Sequence, residues 1–410
     1  MTATMTTLGR RALNRATLHR QLLLSRSDRT PLDALTHLVG MQAQTAHTWY
    51  VGFWTRLRDC RPEAVAELLT DRRAVRIALM RSTIHLVTAA DALALRPLLQ
   101  PVLDRGLSQV AGRQLTGLSR DEVVVAGRGV LDERPLTLGQ LGAALRQRWP
   151  DRDPAALGQA VRTWVPLVQV PPRGVWGRSG PAAHRTVEHW LGAVPAEDSP
   201  VGAVSSQESP VGAVSSEDSP VGAVPSQNSP IGAVPSQDSP VDDLVLRYLG
   251  AFGPATVRDV QVWSGLTRLA EVLERLRPRL ATFRDESGAE LFDLPDAVRP
   301  DPQTPAPPRF LYDFDNLLLS HADRSRVVTD EFRSRSVARN GQLPRALLLD
   351  GFTAGIWTTA VERDRAILSV ESFVRLSAVD TEALTAEGTE LLLFLAGEEC
   401  VPEVRISAPG

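Results

Sequence analysis

Lysine is absent: all 45 basic residues of this 410-residue chain are arginine. Chemistry that runs through a lysine Schiff base is therefore excluded. Cysteine is nearly absent as well, and Cys60 with Cys400 can build neither a disulfide framework nor a four-thiolate zinc site. The seven histidines are scattered and no Cys-x-x-Cys or His-Glu-x-x-His occurs, so neither a metal nor a cofactor is expected. No run approaches ~18 uninterrupted apolar residues, and MTATMTTLGRRALNR lacks an apolar signal core. No membrane partner is expected, and the expected location is cytoplasmic. Phosphate loops, Gly-x-Gly-x-x-Gly and Gly-x-Ser-x-Gly are also missing, which removes the usual scaffolds of nucleotide-dependent and serine-hydrolase chemistry.

What is present is enough apolar residue, 43%, to build real cores over about two to four units of ~100–200 residues. The formal charge of −3 conceals an uneven distribution. Residues 191–240 carry six acids and no arginine, so the remainder of the chain stands at +3. Arg10, Arg11, Arg15, Arg20, Arg26 and Arg29 crowd the first 29 residues against Asp28 alone. That asymmetry is compatible with a local basic face.

The acidic segment is a tandem repeat: LGAVPAEDSP, VGAVSSQESP, VGAVSSEDSP, VGAVPSQNSP, IGAVPSQDSP. Each unit offers only a few small apolar side chains, too little to offset the entropy of ordering. It reads as a disordered expansion within a surface loop. On either side lie units of similar grammar, with expected bounds 8–118, 119–190 and 241–300. Each runs as helices followed by a hairpin, and a β-rich region spans 301–410. Pro31 opens a helix expected to run to about Gln42, and AVRIALMRSTIHLVT reads as paired strands. In the second unit Thr137 can cap a helix, and PPRGVWGRSG has the look of a wing tip. FRDESGAELFDL reads as a hairpin around Ser287–Gly288. The fold class expected is mainly α with small β-hairpins, an α+β protein of three tandem winged-helix motifs plus the β-rich C-terminal region.

Four segments carry candidate chemistry. In HLVGMQAQTAHTWYVGFWTRL, Gln42 and Gln44 flank Ala43; alone, two glutamines so spaced read as polar groups at a helix end. In RSTIH, a strand would put Arg81, Thr83 and His85 on one face, beside the basic Arg72, Arg73 and Arg76. In FDNLLLSHADR, Leu317–Leu319 reads as a buried strand between polar ends. Those ends suit a hydrogen-bonded turn that positions domains, or DNA contact through His321 or Arg324. Arg173 and Trp176 of RGVWG fit either a wing entering a groove or a structural tryptophan.

Gln42-Ala43-Gln44, then Arg81-Ser82-Thr83-Ile84-His85, then Phe314–Arg324, in that order, resemble the winged-helix DNA-binding proteins that include the AlkZ-type DNA glycosylases. The resemblance covers nearly the whole chain apart from the decapeptides. It implies a concave DNA-binding body in which Gln42 and Gln44, matching a Gln-x-Gln motif, are catalytic. It implies removal of N7-alkylated purines, including unhooking of interstrand crosslinks, in alkylation repair or self-resistance to a genotoxic natural product. The partner is then double-stranded DNA, bound by a monomeric clamp. Phosphate or lesion contacts would fall to Arg72, Arg73, Arg76, Arg81, Thr83, His85, Arg173, His321 and Arg324.

The chemistry is physically coherent. A carboxamide does not titrate near pH 7, so neither glutamine is a conventional general base. An N7-alkylpurine, however, is already cationic and departs neutral, so its leaving requires no proton. What remains is an oxocarbenium-like sugar and a water to be placed beside it. Without lysine, only an N-terminal amine would support strand cleavage, so a monofunctional glycosylase is expected. The rival readings are a non-catalytic DNA-binding regulator and a protein that sequesters the alkylating compound.

Overall fold

A computed structural model describes residues 6–192, 239–336, 344–362 and 364–407. The expectation of disorder in the decapeptides falls, over 193–238, on residues outside these.

Three stretches share one chain order. The first comprises helix Pro31–His37, strand Met41–Gln42, helices Trp49–Trp54 and Pro62–Thr70, and strands Ala74–Ala78 and Ile84–Thr88. Its first strand pairs with its third, which pairs with its second. Helix Arg120–Glu133, strand Leu136–Thr137, helices Leu138–Leu145 and Pro154–Trp164, and strands Leu167–Gln169 and Ala183–Thr186 repeat that order. The third stretch has helices Pro240–Phe252, Val257–Ser264 and Leu269–Leu276 and strands Ala281–Asp285 and Glu290–Asp293. Its first strand is reduced to a bridge between Ala255 and Phe292. The order helix, strand, two helices, two strands thus recurs three times, with the third copy's first strand reduced to that bridge.

Local signals start these helices where they begin. Thr137 and Gln140, Thr256 and Asp259, and Ser239 and Asp242 each close a reciprocal capping box. The last pair falls at the end of the decapeptide repeat. The final Ser-Pro supplies the cap and first-turn proline of helix Pro240–Phe252, where proline's missing N–H costs nothing.

The first two stretches are not separate sheets. Arg76 pairs with Gln169 and Ile77 with Val168, joining six strands into one sheet. Alternation then divides its faces. Ala78, Ile84 and Leu86 pack with Trp49 and Phe53, whereas Val75, Ile77, Val87 and Val168 pack with Tyr248 and Trp263 of the third stretch. The C-terminal region is a five-stranded sheet, ending in Val401–Ser407 parallel to Arg365–Ser372, with helix Ala378–Ala396 against it. The chain is thus α+β. Among the described residues, no helix is long and apolar enough to cross a membrane.

Two local expectations are overturned. Helix Pro31–His37 stops well short of Gln42 because Val39 and Gly40 both take positive φ. Gly40, at φ +87°, admits no side chain: a Cβ would lie 2.5 Å from Val87. The chain therefore leaves the helix and enters the sheet at Met41–Gln42. Likewise Asn316–Leu318 is a single 3-10 turn rather than a strand, capped by the Asp315 carboxylate.

Candidate active site

The Gln-Ala-Gln tripeptide is fixed along its length. Asn316, distant in sequence, accepts from the Gln42 N–H at 3.2 Å and donates to the Gly40 carbonyl at 2.7 Å. The Ala43 N–H donates to the Ile84 carbonyl at 2.8 Å, and Arg76 Nη2 donates to the Ala43 carbonyl at 2.7 Å. The side chains are held too. Arg81 Nη2 donates to Gln42 Oε1 at 2.7 Å, and the Ile84 N–H donates to Gln44 Oε1 at 3.3 Å. Because guanidinium and backbone N–H are donors only, both carboxamides must turn their oxygens this way. Gln42 is buried, 4% exposed, while Gln44 is exposed and lines a groove between the first two units.

Arg81 sits in a tight turn, Met80–Ser82, where Arg81 and Ser82 take φ of 55° and 60°. Two successive left-handed non-glycine residues cost conformational energy that the surrounding contacts must offset. Arg81 Nη1 donates to the Trp263 carbonyl at 2.9 Å, so one side chain links the third unit to Gln42. The expected strand with Arg81, Thr83 and His85 on one face is corrected accordingly. The strand begins at Ile84, and Thr83 donates back to Met80. Burial, with Arg324 adding to it, draws the Arg81 guanidinium down to about 10, which leaves it cationic at neutral pH.

Three other residues proposed for DNA contact, Arg76, His85 and His321, are removed from it by burial. Arg76 is buried, and burial with the nearby Arg173 lowers its guanidinium to about 10. It positions Ala43 instead of reaching phosphate. His85 and His321 are each 1% exposed and bond the carbonyls of Thr83 and Phe252. Burial, reinforced by Arg81, pushes His85 down to about 3; burial, with Arg326 beside it, drives His321 the same way. Both are neutral at pH 7. Arg173 braces its own loop through the Gly180 carbonyl. The RGVWG segment packs against the first unit through Val175 and Trp176. The Tyr50 hydroxyl donates to the Gly174 carbonyl and accepts from the Trp176 N–H, and the Trp176 ring lies 4.8 Å from Tyr50. Arg72, Arg73 and Arg324 are exposed, and Arg72 stacks over Trp190.

The depressed histidines give a pH expectation. Their folded pKa values lie below the ordinary 6.5, so between those values the unfolded chain binds more protons than the folded one. Stability should be complete above about pH 6.5 and fall as acid is added toward pH 3, read as a falling Tm. Replacing His85 with Gln should flatten that slope.

Sequence reasoning missed Arg56. Its guanidinium pairs bidentately with Asp315 at 2.9 and 2.6 Å, both residues essentially unexposed, and also donates to the Gly52 carbonyl. This pair fastens the connector that delivers Asn316 to Gln42. No local pattern marks Arg56, since its partner lies in a distant segment.

A family model described as DNA glycosylase AlkZ-like matches residues 35–394. Among solved structures, the Streptomyces sahachiroi DNA glycosylase AlkZ is similar, with a TM-score of 0.69 at 20% identity, over 98% of this chain and 100% of that one. At that identity the likeness is one of fold. No curated protein matches.

Proposed function

The chain belongs to the AlkZ-like DNA glycosylase family, and we propose that it hydrolyses the N-glycosidic bond of N7-alkylated purines in double-stranded DNA, acting as a monomer in which Gln42 and Gln44 organise the reaction. The observation that carries this reading is the company the tripeptide keeps. Among the described residues, its hydrogen bonds come from Asn316, Arg76, Arg81 and backbone groups, and none from a carboxylate. A site built this way has no acid in contact to protonate a neutral leaving base. It suits a substrate that already carries its charge, which an N7-alkylpurine does.

The two glutamines divide the work by exposure. Each carboxamide oxygen has two lone pairs, one of them already engaged. Gln44, exposed at the groove, presents its second lone pair to the attacking water and to the developing sugar cation. Gln42, buried against Arg81, anchors the short strand Met41–Gln42 that leads into Gln44. Such preorganised dipoles act without reorganisation at the moment of reaction. Exposed Arg72, Arg73 and Arg324 are assigned to backbone phosphates. An interstrand N7 crosslink fits the same logic, because each bridged purine bears the same charge. The biological setting is removal of alkylation damage or of adducts from a genotoxic metabolite.

The test is release of free base from duplex DNA containing N7-methylguanine, with an N7 interstrand crosslink as second substrate. Base should appear while the strand stays intact until heated in alkali, since no lysine is present to form a Schiff base. Tight duplex binding with no base released from either substrate would overturn the reading.

A further inference from the structure

The groove that Gln44 lines is a polar pocket of about 540 Å³ between the first two winged units. Gln159 and Arg162 reach it from helix Pro154–Trp164, and Gln169 and His184 from neighbouring strands of the six-stranded sheet. Its polar groups are incompletely used. The buried Gln169 Oε1 has no hydrogen-bond partner among the described residues. His184 is 3% exposed; the backbone of Leu136 and Ala182 lies near its ring, yet among the described residues neither ring nitrogen meets a partner at hydrogen-bonding geometry. Among the described residues Arg162 makes only long bonds, 3.5 Å to Gln159 Oε1 and 3.4 Å to the Ser82 carbonyl. Buried polar groups left without partners are uncommon in native proteins, and each calls for a ligand or a role.

We propose that this groove seats the nucleobase of the lesion, the alkylated purine that becomes the leaving group; the inference rests on the glycosylase reading above. The lining fits a heterocycle better than a phosphate. Burial draws the His184 imidazole down to about 4, so it is neutral, and Arg162 is the single cation among the five side chains named here. Three carboxamides and a neutral imidazole offer donors and acceptors together, matching a purine edge that carries both, such as the guanine O6 acceptor and N2 donor. A phosphate, which only accepts, would leave the carboxamide oxygens facing negative charge. The volume lies within the range of small-ligand pockets. Gln44 forms one wall, so a base seated there places its glycosidic bond beside the carboxamide assigned to the water. Recognition of the base and placement of the nucleophile then share one residue.

Free 7-methylguanine is the probe, titrated into the full chain by calorimetry, for wild type, Gln159→Leu and Gln169→Leu, with base release from N7-methylguanine duplex followed in parallel. Gln159 is half-buried on a helix rim, so its variant leaves the core undisturbed. Wild type should bind the free base, and each variant should bind it at least ~10-fold more weakly. Wild type that releases base from DNA but binds 7-methylguanine no better than the variants do would overturn the groove and leave the glycosylase standing. Wild type with no turnover, yet with binding that depends on Gln159 and Gln169, would sink the catalytic reading and leave the groove as a base seat.

Discussion

Gln44→Ala should lower single-turnover release of N7-methylguanine by about 10²–10³-fold, the usual cost of losing one preorganised dipole. Duplex affinity and Tm should stay near wild type. Gln44 is exposed, and among the described residues its side chain's single bond is a long one to the Ile84 N–H, which Ala43 and the strand pairing keep in register without it. Gln42→Ala should produce a rate loss of similar size by a different route. Gln42 is buried and supplies the acceptor for Arg81 Nη2, so truncation leaves a cationic donor without its partner. That adds a stability loss on the order of 1–3 kcal/mol, visible as a lowered Tm. The two variants therefore separate on stability while agreeing on rate. In neither case should the pH–rate profile change between about pH 6 and 8, because carboxamides do not titrate and His85 stays neutral throughout that range. Undiminished turnover in Gln44→Ala would remove the tripeptide from the chemistry.

The sequence made the order of elements legible because helix caps, prolines at first turns and alternating apolar residues are local signals. Thr137, Pro154 and Ser239 all act within four residues of themselves. Local reasoning failed where the chain reverses direction on residues that do not advertise it. Val39 takes positive φ beside Gly40, and Arg81 and Ser82 do so with no glycine at all, so an apolar helix and a strand were expected to run through both turns. Arginine was the second source of error. A sequence with no lysine invites every arginine to be read as a phosphate contact, yet Arg15, Arg56, Arg76 and Arg96 are among the most deeply buried large side chains. Their guanidiniums bond carbonyls and carboxylates far along the chain, as Arg15 does to Thr304 and Arg96 to Thr163. The candidate glutamines were found by resemblance to a motif; what holds them, Asn316 and Arg81, becomes visible only when segments more than 270 residues apart in the first case are brought together.

Asp315→Ala should be the most destabilising single change in the connector, by about 3–5 kcal/mol, because it strands the buried Arg56 charge. The carboxylate also accepts the Leu317 N–H at 3.0 Å, so the 3-10 turn loses its cap in the same step. Asp315→Asn should recover little: it keeps the shape but leaves the guanidinium without a countercharge. Because Asn316 is the next residue and holds both Gly40 and Gln42, unfolding midpoint and base release should fall together in both Asp315 variants. Asn316→Ala makes the contrast. It removes the two bonds to the loop while leaving the ion pair intact, so its loss should be chiefly in rate, about 10-fold or more, with duplex affinity preserved. Denaturant unfolding followed by tryptophan fluorescence measures the first effect, and single-turnover kinetics the second. An Asp315→Ala protein whose unfolding stays within about 0.5 kcal/mol of wild type would show that the ion pair does not fasten the connector. The register of the Gln-Ala-Gln strand would then depend on the sheet alone.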